Sequence, residues 1–173
     1  MKGEMEMRLN TLKFEFAKPE NAFETYGDMV YRLAFVRTKN IADSEDILQE
    51  VFLRYLKIWD KMESEEHIKA MLLRITVNCS NSLKTSSWFK KTTELTEDIP
   101  YIENNGHDDS VLNSVLKLPL KYRTAVHLHY YCGYTVKKIG EITNTNPSTV
   151  KTNLSRARAL LKTDLSERKV DYV

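Results

Sequence analysis

The segment that most constrains this chain runs from Thr135 to Lys162, TVKKIGEITNTNPSTVKTNLSRARALLK, because it carries the end signals of two helices separated by a tight turn. Thr135 is placed to cap the first helix, with Ile139 and Ile142 facing inward. Asn144 stands at the turn, where asparagine comes next to glycine in tolerating a left-handed backbone. Asn146 is predicted to cap the second helix, and Pro147 takes its first position, where the missing N–H costs nothing. Gly140 is small enough to admit a close crossing of that helix. Within it Val150, Leu154, Ala157 and Leu161 step by four, three and four, which predicts a core-facing stripe. Lys151, Ser155, Arg158 and Lys162 form the neighbouring stripe, with Arg156 close by, and residues 147–163 hold four cations and no acid. The pattern predicts a helix-turn-helix whose second helix enters a DNA major groove. Its first residues would face base edges and its cations phosphates. The expected contacts are Ser148, Thr149, Lys151, Thr152, Ser155, Arg156 and Arg158. The alternative is a basic, solvated helix of an ordinary bundle; the cap, turn and charge asymmetry together favour DNA binding over it.

The rest of the chain is also helical in pattern. Five glycines and four prolines in 173 residues leave little material for a turn-dense β fold. Phe23, Tyr26, Val30 and Leu33 share one helix face, and Asn40 ends that segment. DSEDILQEVFLRYLKIWDK follows, with Leu48, Phe52, Tyr55, Leu56 and Trp59 at helical spacing, Ile47 and Val51 beside them, and Asp43 as the expected cap. Ser64 is placed to cap a third helix on which Ile68, Leu72, Ile75 and Cys79 align. Pro119 marks a break before LKYRTAVHLHYY, a helix expected to end near a left-handed Gly133.

Charge divides the chain. Residues 92–114 hold six acids and no lysine or arginine, whereas residues 115–173 hold eleven basic and four acidic side chains. The first stretch, with Pro100, Asn104, Asn105 and Gly106, reads as a flexible linker. The second points to nucleic acid. The expected architecture is therefore all-α, two small helical domains joined by an acidic flexible linker: an extension at 1–20, a first domain at 21–91, the linker at 92–113, and a helix-turn-helix domain at 114–168. Cys79 and Cys132 lack metal-ligand spacing and read as reduced thiols. No stretch has the length of an apolar membrane span, and MKGEMEMRLN carries no apolar leader, so a cytoplasmic place is expected.

These segments resemble a known family. GYTVKKIGEITNTNPSTVKTNLSRARALLK, preceded by LPLKYRTAVHLHYY, is similar to the C-terminal domain of bacterial RNA polymerase sigma factors. DSEDILQEVFLRYLKIW and AMLLRITVNCSNSL are similar to their N-terminal domain. Two domains and a short acidic linker resemble the extracytoplasmic-function (ECF) group, over roughly residues 20–164. The resemblance implies a factor that joins core RNA polymerase, brings it to promoters and helps melt them. It implies docking of the 43–60 helix on the β′ clamp helices through Asp46, Gln49, Glu50 and Lys57, and a contact of the second domain with the β flap. It implies minus-ten recognition by the 60–91 segment, where the loop Lys61–His67 shapes a base pocket over Asn78 and Lys84, Lys90 and Lys91 hold the strand. Trp88 and Phe89 read as core or domain edge, with base stacking as the alternative. An anti-sigma protein is a further expected partner.

The sequence departs from the family pattern in places. Met71 replaces a usual tryptophan, the arginine-rich run is thinned to KTSSWFKK, and the loop carries Glu63, Glu65 and Glu66. Asn153 replaces a common basic residue and Thr145 a common aliphatic one. The linker is read either as a polyanion mimic inside cationic polymerase channels or as a soluble tether.

Catalysis is not expected. His127 and His129 are two residues apart and cannot share a helix face, and there is no phosphate loop, HExxH or nucleophile elbow. No metal, cofactor or small-molecule substrate is expected. The alternative function is a stand-alone dimeric helix-turn-helix regulator, which needs no polymerase-docking helix.

Overall fold

The computed structural model describes residues 17–85 and 109–170. Apart from short turns these are helical, with no strand among the described residues. The chain divides into two compact units, Met1–Thr96 and Glu97–Val173.

In the first unit α1 (Pro19–Thr38), α2 (Ile41–Tyr55) and α3 (Glu65–Thr85) pack each on the other two. Tyr26, Val30 and Ala34 of α1 meet Ile47, Val51, Phe52 and Tyr55 of α2 and Ile68, Leu72, Ile75 and Cys79 of α3 in one core. Met71 packs against its edge. Phe23 is half exposed and not core, although it shares the α1 face with Tyr26; it lies edge-on to Phe52, with ring centroids 4.9 Å apart. The unit starts before the expected boundary: Pro19 opens α1, and buried Ala17 accepts a hydrogen bond from the Tyr55 hydroxyl at 2.8 Å.

The corner between α1 and α2 differs from the expected cap. Lys39 takes a left-handed backbone (φ 59°) and closes α1 by donating its N–H to the Phe35 carbonyl. Asn40, not Asp43, caps α2: its side chain accepts the Asp43 N–H at 2.9 Å. Asp43 lies in the first turn, where its charge faces the positive end of the helix. Buried Thr38 and Ser44 join hydroxyls at 2.9 Å across the same corner.

A second difference follows at the far end of α2. The helix stops at Tyr55 and does not reach residue 60. Lys57 and Ile58 donate to the carbonyls of Arg54 and Tyr55, an i→i−3 pattern, and a 3₁₀ turn occupies Trp59–Lys61. Leu56 is consequently half exposed. Ser64 caps α3 as expected, its Oγ accepting the His67 N–H at 3.1 Å.

In the second unit α4 (Asp109–Lys117), α5 (Leu120–Val126), α6 (Val136–Thr143) and α7 (Pro147–Val170) surround Leu116, Leu128, Ile139, Val150, Leu154 and Ala157. α4 begins five residues before Ser114, and α7 runs on past the helix-turn-helix. Past Val126 the chain widens into a π-helical turn, His127–Tyr131, and the Cys132 N–H reaches back to the His127 carbonyl. Gly133 then takes φ 75°, the left-handed exit read from the sequence. Arg123 is buried inside this unit. It donates to the Leu118 carbonyl at 2.9 Å, and burial lowers its pKa to about 10.

Candidate DNA and polymerase interfaces

The helix-turn-helix is built by its caps. Thr135 Oγ1 accepts the Lys138 N–H at 3.3 Å, which starts α6. Asn144 ends it with φ 50° and ψ 48° and donates its N–H to the Gly140 carbonyl. Gly140 is required by the turn more than by the helix crossing: a Cβ there would sit 2.6 Å from the Thr145 carbonyl oxygen. Asn146 Oδ1 accepts the Ser148 N–H at 2.9 Å and starts α7.

This cap sets the rotation of α7. Val150, Leu154 and Ala157 are buried, and Leu161 is half buried at the end of their stripe. Ser148, Thr149, Lys151, Thr152, Ser155, Arg156 and Arg158 are all exposed. The structure therefore brings all seven residues expected of the helix-turn-helix at the DNA onto the surface of one helix. Among the described residues no ion pair engages Lys151, Arg156 or Arg158, so no acid competes with a phosphate for them. Asn153 is 8% exposed and sits on the core side, so its difference from a basic residue does not alter the exposed stripe.

In the first unit Asp46, Gln49 and Glu50 lie on one side of α2 and line a groove of about 450 Å³ against α3. Leu53 and Arg54 extend that side, and Cys79, Ser82 and Leu83 come from α3. Sequence reading missed Leu53 and Arg54. Leu53 is 57% exposed, an apolar side chain set among charges. Glu50 is not free: its Oε1 accepts from Arg54 Nε at 2.6 Å. Lys57 is not in this group, because α2 has ended and Lys57 lies in the following turn. Cys79 forms part of the groove wall, and burial raises its thiol pKa.

Asn78 is exposed on α3, eleven residues beyond His67, which is about 16 Å along the helix axis. It therefore does not lie beneath the Lys61–His67 loop. That loop is shaped by the Ser64 cap and by the Glu63 N–H, which donates to His67 Nδ1 at 3.4 Å. The side chain of Lys84 and all of Trp88, Phe89, Lys90 and Lys91 lie outside the described residues, as does the acidic segment as far as residue 108. Among the described residues no three His, Cys, Asp or Glu side chains are grouped to hold a metal, and no helix is long and apolar enough to cross a membrane.

Comparison with known proteins accords with this geometry. The family model of Sigma-70 region 2 matches residues 22–89, and that of Sigma-70, region 4 matches residues 108–161. The chain is 31% identical over 142 residues to RNA polymerase sigma factor SigV of Bacillus subtilis, covering 79% of this chain and 84% of the relative. It is 27% identical over 162 residues to ECF RNA polymerase sigma factor SigW of the same organism, covering 83% and 87%. Its fold is similar to that of the sigma factor RpoE solved in complex with the anti-sigma factor NepR from Bartonella quintana. The TM-score is 0.71 at 20% identity, over 85% of this chain and 96% of that one. Region 2 and region 4 stand in order on a chain that covers 84% and 87% of the two Bacillus relatives, and on this ground the chain belongs to the sigma-70 family, as an ECF sigma factor.

Proposed function

We propose that this sigma factor acts through two surfaces: the exposed stripe of α7 reads the minus-thirty-five element, and the Asp46–Gln49–Glu50 side of α2 docks on core RNA polymerase. A sigma factor directs RNA polymerase to promoters, and this chain's membership of the family carries that function. The observation that supports the residue assignment is the α7 geometry: seven residues expected at DNA are exposed together, and three of them are cations without an acidic partner in the described structure. On α2 the docking side includes Leu53 as an apolar contact and Arg54 as the partner that orients Glu50. Lys57 takes at most a place at the edge of that surface, and the β flap is the proposed partner of the second unit. Asn78, Lys84, Lys90 and Lys91 are proposed to meet the minus-ten strand, with Asn78 acting apart from the Lys61–His67 loop. The protein itself catalyses nothing in this scheme, works in the cytoplasm where polymerase is found, and is a target for an anti-sigma protein.

The test is run-off transcription from a cognate promoter with purified core polymerase. Specific initiation is expected only when both core enzyme and this protein are present. A dimeric regulator would instead bind a palindrome tightly without polymerase and add no initiation. The region 2 match argues against that second reading.

A further inference from the structure

The first turn of α7 does more than expose hydroxyls. Asn146 Oδ1 accepts from both the backbone N–H of Ser148 (2.9 Å) and the Ser148 hydroxyl (2.8 Å). The backbone N–H can only donate, so the atom facing it is the amide oxygen, and the serine proton must point to that oxygen as well. One turn on, the Thr152 hydroxyl donates to the Ser148 carbonyl at 3.0 Å, and a carbonyl can only accept. Both hydroxyl protons are thus held within the chain. What Ser148 and Thr152 have left for a ligand is oxygen lone pairs. Thr149 and Ser155 make no such bond among the described residues and keep both roles.

We infer that Asn146 is a positioning residue for promoter specificity: it makes Ser148 an acceptor at the DNA surface and, with the matching bond at Thr152, biases α7 toward bases that present an exocyclic amine. In the major groove those are adenine, through N6, and cytosine, through N4. Guanine and thymine present acceptors at the same place. An acceptor-only side chain therefore divides the four bases into amino (A, C) and keto (G, T) on the strand it faces. Lys151, which can only donate, has the opposite preference where it meets a base. The inference rests on the proposed role of α7 at the minus-thirty-five element.

The experiment uses holoenzyme assembled from the full-length protein and core polymerase, selecting from a promoter library randomised over the upstream element. The wild type is expected to show an amino–keto division at two nearby positions, each about three- to tenfold, the effect of one hydrogen bond. Ser148→Ala should erase one division and Thr152→Val the other, leaving the remaining positions unchanged. Ser148→Asp, acceptor only, should keep the sense of the division despite weaker overall binding, whereas Ser148→Lys, donor only, should invert it. Asn146→Ala should shrink the Ser148 division while Asn146→Asp preserves it, and a cap acting on stability alone would weaken all positions evenly. An unchanged profile in Ser148→Ala, or a sense kept by lysine and inverted by aspartate, would overturn the inference while initiation itself continues. Absence of polymerase-dependent initiation by the wild type would instead bring down the function on which it rests.

Discussion

At the residue scale, charge on α7 divides into two kinds of work. Lys151 is exposed near the start of the helix, the part proposed to face base edges, and Arg156 is exposed over a turn later. Arg156→Ala is expected to weaken promoter binding evenly across sequences and to lower the salt dependence by about one counterion, as loss of a phosphate contact does. If Lys151 reads a base, Lys151→Ala should instead remove about 1–3 kcal/mol of discrimination at one position. Binding titrations on several sequences at two salt concentrations separate the two, and unchanged titrations for both variants would take α7 off the DNA. Gly140 offers a test of the turn. Gly140→Ala places a Cβ 2.6 Å from a backbone oxygen that cannot swing away, so the second unit should lose on the order of 1–3 kcal/mol by thermal or denaturant unfolding. The thiols make a third test. Cys132 is pushed up to about 11 and Cys79 is also raised, both by burial. Labelling by a thiolate-dependent reagent at pH 8 should therefore be slower at both thiols in the native protein than in the unfolded chain, by at least about tenfold at Cys132. What the sequence made legible at this scale was local. Thr135, Asn146 and Ser64 each accept a backbone N–H within three residues of themselves, and Asn144 takes the left-handed backbone, as their types and positions predict. Asp43 differs from expectation because Asn40, three residues earlier, starts the helix sooner by accepting the Asp43 N–H, and two cap residues so close together cannot be ranked without the α1 corner.

At the element scale, the buried stripe of α2 leaves Asp46, Gln49, Glu50 and Leu53 on the other side, the side proposed to dock on polymerase. Replacing Gln49 and Glu50 together by alanine should abolish co-purification with core polymerase and leave the circular dichroism spectrum unchanged, since neither side chain is core. Removing Glu50 also frees Arg54 from its 2.6 Å partner, so an Arg54→Ala variant is the control: it should weaken association less than the double change. Normal co-purification of the double variant would mean that polymerase docks on another face. A collapsed spectrum would mean that the groove is structural. The extent of α2 was the part of this element least readable in advance. Leu56 and Trp59 continue the 3.6-residue period, so periodicity alone carries the helix to residue 60. The observed stop at Tyr55 depends on i→i−3 bonds through Arg54–Ile58, and Met62, 3% exposed, is buried just beyond them. Tertiary packing of that kind leaves no periodic trace. For the same reason nothing in the sequence separates Lys57 from the helical run that precedes it, or the π-helical turn at His127–Tyr131 from ordinary helix.

At the scale of the whole molecule, charge is segregated along the chain more strongly than the net value of +2 suggests. Six acids fall in residues 92–114, between an α2 surface proposed to meet polymerase and an α7 surface proposed to meet DNA. A cationic channel in the enzyme would attract such a segment whatever the order of its residues, and low-dielectric walls would strengthen the attraction. Charge and sequence can therefore be separated by experiment. Changing Glu94, Glu97, Asp98, Glu103, Asp108 and Asp109 to Gln or Asn keeps length and polarity and removes the charge. Holoenzyme assembly, read by competition for limiting core enzyme, should weaken. The loss should be greatest at low salt and fade as the Debye length shrinks from ~10 Å at 0.1 M to ~3 Å at 1 M. A scrambled segment with all six acids should assemble like the native chain. Asp109 is the first residue of α4, so Asp109 is also to be restored alone in the neutralised chain. If that restoration recovers assembly, the effect belongs to the α4 terminus and not to the segment. If the fully neutralised chain assembles and initiates like the native one at low salt, the acids only keep a tether in solution.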